Sequence, residues 1–137
     1  MPLTRLDRVG TFVERSGILH DRLGPLRITI GQARDEGVLA FLLGSLDPEV
    51  LAAFDFRHPS WDETEVPVRV NAYDLDAGFR YLRYRDPPYD DAFFAREAER
   101  LRPLLDAGVD VYAYFRHEDE ATAPAYAERL RRELVGD

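Results

Sequence analysis

A chain of 137 residues, 45% hydrophobic and 12% aromatic, carries enough apolar side chain for one domain with a core and too much for disorder. Without cysteine it excludes disulfides, thiolate metal sites and cysteine nucleophiles; because all 18 basic residues are arginine, it also excludes lysine Schiff bases. The formal net charge of −8 opposes general contact with phosphate backbones, so nucleic acid is not expected as a partner unless a local arginine face outweighs the global charge.

Leu3, Leu6, Val9, Phe12 or Val13, Leu19 and Leu23 recur at helical spacing, which predicts a helix over residues 3–23, interrupted near Gly17 and stopped by Gly24-Pro25. Arg5, Asp7 and Arg8 interrupt this segment, so it has no continuous apolar region of a signal peptide. Residues 26–30 alternate and are β-branched, as a strand requires. Residues 35–46 form a second helix with Val38, Leu39, Leu42 and Leu43 on its apolar side, and residues 50–56 a second strand. The run 38–43 is the longest apolar stretch and falls far short of the roughly 20 residues of a membrane span, so a cytoplasmic protein without membrane contact is expected.

After an acidic loop, residues 67–72 read as a short strand and 79–85 as a stronger one, broken by Asp86-Pro87-Pro88. Residues 90–107 form a helix with Phe94, Leu101 and Leu105 as its stripe, Pro103 as an expected bend or split, and Gly108 at the C′ position. A strand over 110–115 and a helix over 121–134, with Pro124 in its first turn, complete the chain. Strands alternating with helices predict a single α/β domain over residues 1–137, with about five mostly parallel strands.

The run Phe54-Asp55-Phe56-Arg57-His58-Pro59-Ser60-Trp61 resembles the YecE-like family, also called domain of unknown function 72, which shows glutamate-phenylalanine-arginine-histidine-proline-serine-tryptophan here. Gly24-Pro25-Leu26 leading into a strand, Tyr81-Leu82-Arg83, and the strand from Asp110 through Tyr114-Phe115 agree with the same family in the same order. The similarity covers about residues 18 to 135. It implies the later part of a TIM-type (β/α) barrel, truncated because a full barrel needs roughly 250 residues. Departures fall at strand ends: Asp55 replaces the family's glutamate, Arg85-Asp86 a histidine-glycine, and Arg116-His117 a pair of asparagines.

Strand alternation puts Phe54 and Phe56 against helices and Asp55 with Arg57 on the other face. The same alternation adds Arg27, Thr29, Arg69, Asn71, Tyr81, Arg83, Arg85, Tyr112, Tyr114 and Arg116 to that face. Arginines among hydroxyl donors suit phosphate or carboxylate, so Arg57, Arg83, Arg85, Tyr112 and Trp61 are candidate ligand-binding residues. Asp55 with His58 is a candidate acid/base pair. The structural alternatives are an internal Asp55–arginine ion pair, a histidine that caps a loop, and a tryptophan in the core. His20, His58 and His117 lack mutual ligand spacing, and His117-Glu118-Asp119 suits a helix start better than a cation, so no metal or cofactor is expected.

Two functions follow as expectations. One is a site for a small phosphorylated or carboxylated ligand; the other is a non-catalytic barrel remnant that acts by self-association. A truncated barrel exposes sheet edges, so a homodimer is expected in either case.

Overall fold

A computed structural model describes the backbone of residues 3–117 and 119–136, and the side chains of all these but residues 3–7 and His20. The His20 ring and Glu118, both weighed above as cation contacts, lie outside the described residues. The chain divides into two compact units, Met1–Arg69 and Val70–Asp137.

The first unit contains α1 (Leu3–Ser16), β1 (Leu26–Ile30), α2 (Glu36–Ser45) and β2 (Ala52–Phe56). The second contains β3 (Phe79–Tyr84), α3 (Asp91–Asp106), β4 (Asp110–Phe115) and α4 (Ala123–Val135). Each unit therefore holds one parallel strand pair joined through one helix: β1 with β2 across α2, and β3 with β4 across α3. Among the described residues no helix is long and apolar enough to cross a membrane.

The interruption expected near Gly17 is real: α1 gives way to a tighter 3-10 helix over Gly17–Arg22. Asp35 caps α2 by accepting from the Val38 amide at 3.1 Å, and Asp90 caps α3 by accepting from the Phe93 amide at 2.8 Å. Helix α3 passes through Pro103 as one helix, so the expected split does not occur. It ends where Gly108 takes φ +80°, while the Gly108 and Val109 amides donate to the Leu105 and Leu104 carbonyls.

The segment 67–72 does not form the expected strand. Its ladder is one bridge, from Arg69 to Phe54, with the Phe54 amide donating to the Val68 carbonyl at 2.9 Å. Pro67 has no amide to offer a ladder, and Asn71 turns the chain with φ 61°. Four strands in two separate two-stranded sheets replace the expected five among the described residues.

Both cores follow from strand alternation. In the first unit Ile28, Ile30, Phe54 and Phe56 meet Val38, Leu39 and Leu42 of α2, and Trp61 joins them. In the second, Leu82, Tyr84, Ala113 and Phe115 meet Phe94 and Leu101 of α3 and Leu130 of α4. Leu104 packs there, while Leu105, expected in the stripe, is exposed. Leu43, expected on the apolar side of α2, is exposed too.

Candidate functional site

The segment after β2 is built as a structural knot. Asp55, expected on the face away from α2, is buried there. Its Oδ2 accepts from the Arg57 guanidinium at 2.8 Å, and Arg27 of β1 stands 3.8 Å from the same oxygen. A carboxylate withdrawn from water requires such partners, and two half-exposed guanidiniums provide them.

His58 and Trp61 close the next turn. The His58 Nδ1 accepts from the Ser60 amide at 3.2 Å, capping the 3-10 turn Pro59–Trp61. The Ser60 Oγ lies 2.9 Å from Nδ1 and accepts from the Arg34 amide at 2.7 Å. Trp61 is wholly buried, stacks on Phe56 at 4.7 Å, and donates its indole N–H to the Gln32 carbonyl at 2.8 Å. Arg69 straps the segment from outside, donating to the Trp61 and Thr64 carbonyls at 2.8 Å each while its guanidinium lies over the Phe56 ring. Asp55 is thus held by arginines and His58 by its own turn.

The second unit contains the other candidate residues. Tyr81, Arg83, Tyr112 and Tyr114 share the face of β3–β4 away from α3, with Tyr81 stacked on Tyr114 at 4.9 Å and Tyr112 edge-on to Phe79. At the C-terminal end of β3, Arg83 and Arg85 line an open cleft of about 460 Å³. Arg96 of α3 lines it too, as do Tyr89 and Phe93; Tyr112 does not. Asn71 fixes the strand beside this cleft: its Oδ1 accepts from the Arg83 amide at 2.7 Å and its Nδ2 donates to the Arg83 carbonyl at 3.2 Å. The side-chain amide thereby replaces a neighbouring strand at one residue.

Three polar features escaped the sequence reading. Arg80, almost fully buried, donates to the carbonyls of Tyr73, Leu75, Ala77 and Phe79 and so draws the preceding turn onto the strand. Glu97, also buried, accepts at Oε2 from the hydroxyls of Tyr73 and Tyr84 at 2.8 Å each. Arg96 sits one residue earlier on the same helix. A signal existed for the first two: Arg80 falls on the apolar side of its strand, and Glu97 falls between Phe94 and Leu101 in a helix stripe. A charge at an apolar position implies a buried partner.

Burial, then the Glu97 hydrogen bond and charge, push the Tyr73 phenol up to about 12. Burial foremost, with Tyr73 and Glu97 adding, raises Tyr84 further. The fold defines a mixed α/β protein of two parallel strand–helix–strand units, with a cleft lined by three arginines among other residues at one strand end. Compared with models of known families, with curated proteins and with solved structures, the chain matches none.

Two outcomes check this geometry. Asp55→Ala leaves two guanidiniums without their carboxylate and should destabilise the first unit by about 2–3 kcal/mol, whereas Arg57→Ala, with Arg27 still present, should cost about 1 kcal/mol or less. Urea denaturation followed by fluorescence of the sole tryptophan, Trp61, reads both, and equal effects would contradict the clamp.

Folding stability tied to Tyr73 is complete below the ordinary phenol value of 10.0 and is lost as pH rises through about 12. In an alkaline titration followed by phenolate absorbance, two of the seven tyrosines should ionise last and together with loss of helical ellipticity. Simultaneous ionisation of all seven in the folded chain would contradict it.

Proposed function

We propose that this chain is a YecE-like α/β protein, equivalent to the later part of a (β/α) barrel, that binds a small phosphorylated or carboxylated ligand at the end of β3. The observation that carries this reading is the cleft where Arg83 and Arg85 of one strand end meet Arg96 of α3. Guanidinium forks match the planar geometry of carboxylate and phosphate oxygens. The two parallel strand–helix–strand units support the barrel kinship, because that unit is what such a barrel repeats. Ligand sites of these folds lie at the C-terminal ends of strands, where this cleft lies.

The net charge of −8 repels an approaching anion, so capture depends on short-range contacts. The Asp55–Trp61 segment serves as an anchor, since its carboxylate is already neutralised by Arg57 and Arg27. Calorimetric titration with glucose 6-phosphate and citrate should give saturable heat with at least one of them. Arg96→Ala, on an exposed helix position, should weaken it about tenfold, or ~1.4 kcal/mol, without changing the melting temperature. No saturable heat with either anion contradicts the reading.

A second reading, self-association without catalysis, is favoured by the width of each sheet. Two strands supply edges on which a second copy can pair. Light scattering across micromolar concentrations should give the mass of a homodimer, about twice 15.7 kDa. A constant monomer mass contradicts it.

A further inference from the structure

Resting on the self-association reading above, we infer that a second copy of the chain pairs through β4, antiparallel to it, about a twofold axis at Ala113. The backbone decides which edge is open. The Asp110 amide donates to the Gly78 carbonyl at 3.0 Å and the Arg116 amide to the Tyr84 carbonyl at 2.9 Å, at the two ends of the parallel ladder between β3 and β4. Peptide groups alternate along a strand, so Asp110, Tyr112, Tyr114 and Arg116 turn theirs to β3, while Val111, Ala113 and Phe115 turn theirs outward. By the same alternation Phe79, Tyr81 and Arg83 face out from the other side of β3. Asn71 already answers two of them: its amide donates to the Tyr81 carbonyl at 2.9 Å, and its side chain bonds the Arg83 amide and carbonyl. No strand among the described residues pairs with the outer edge of β4. Edges that must stay single are blunted by proline, charge or a bulge. Residues 111–115 carry neither proline nor charge, and their register with β3 runs without a break.

The sequence of β4 then selects the partner. Closed twofold symmetry makes two copies of one edge run antiparallel. With Ala113 on the axis, Val111 lies opposite Phe115, Tyr112 opposite Tyr114, and Asp110 opposite Arg116. The run from Asp110 to Arg116 is thus complementary to its own reverse: apolar meets apolar, ring meets ring, and charge meets opposite charge. Val111, Ala113 and Phe115 fall where paired residues exchange both N–H and C=O, so the backbone and side-chain registers coincide. The tyrosine and charged pairs fall at the intervening positions, where facing Cα atoms approach to about 4.5 Å and side chains lie closest. An axis at Tyr112 or Tyr114 brings neither Asp110 nor Arg116 to an opposite charge. The Arg116 guanidinium has several donors, enough to meet Asp110 of a second copy beside any contact in its own chain. The pairing doubles the width of a two-stranded sheet, which is marginal by itself.

Two charge reversals test this register in the full chain by sedimentation velocity across micromolar concentrations at low salt. Asp110→Arg sets like charges opposite each other, and Arg116→Asp does so with the other sign. Both positions are exposed, so each variant should keep the wild-type circular dichroism while its homodimer weakens about tenfold. Mixed in equal amounts, the two variants present opposite charges at both contacts and should recover the wild-type dimer, a rescue that local damage to either chain would not allow. Ala113→Pro removes an outward amide without costing the β3 ladder a bond; it should abolish the dimer, and it serves if either reversal fails to fold. Dimers indifferent to all three changes overturn the β4 edge and leave the self-association reading standing. Weakened reversals whose mixture stays monomeric overturn the register about Ala113. A wild-type chain that stays monomeric removes the self-association reading and this inference together.

Discussion

A parallel strand pair can be closed only by a crossover, and the crossover helix covers one face of the pair. That constraint dictates most of what this chain does with its side chains. In both units the apolar alternate positions turn toward the helix, Ile28, Ile30, Phe54 and Phe56 in one and Leu82, Tyr84, Ala113 and Phe115 in the other. The remaining alternate positions hold arginine, aspartate and tyrosine. In the first unit that second face closes on itself, because Arg27 and Arg57 share the Asp55 carboxylate. In the second unit the arginines continue past the strand end into a cleft. The same alternation therefore yields an ion-paired cluster in one unit and an arginine-lined cleft in the other.

Buried charge is the second constraint, and each instance has its own local answer. Asp55 is met by guanidinium, Glu97 by two phenols, and Arg80 by four backbone carbonyls. Arg80 and Asn71 together explain how a short β3 gains definition from its flanks. Arg80 gathers the turn before it, and Asn71 supplies the hydrogen bonds of a missing neighbour at Arg83. Arg83 is thereby fixed in backbone position at the edge of the cleft.

Much of this was legible in the sequence. Alternation located β1, β2, β3 and β4 and the faces of Asp55, Arg57, Tyr81 and Tyr114. Cap chemistry located Gly108, whereas Asp35 and Asp90, read only as the first residues of their helices, are their N-caps. The segment 67–72 was misread because β-branched composition says nothing of whether a partner strand exists; Pro67 and the left-handed Asn71 decided against it. The division into Met1–Arg69 and Val70–Asp137 has no linker composition to announce it. Arg96 was missed because on a helix an exposed arginine looks the same whether it faces solvent or a neighbouring strand end. Only the course of the 85–90 loop brings it to Arg83 and Arg85.

The account depends most on those three arginines acting as one anion receptor. A crystal of the full chain soaked in tungstate, a heavy-atom surrogate of phosphate, tests this directly by anomalous scattering. The account predicts a peak at the end of β3, within hydrogen-bonding distance of the guanidiniums of Arg83 and Arg96. Tungstate bound elsewhere on the chain, with this cleft empty, would contradict it.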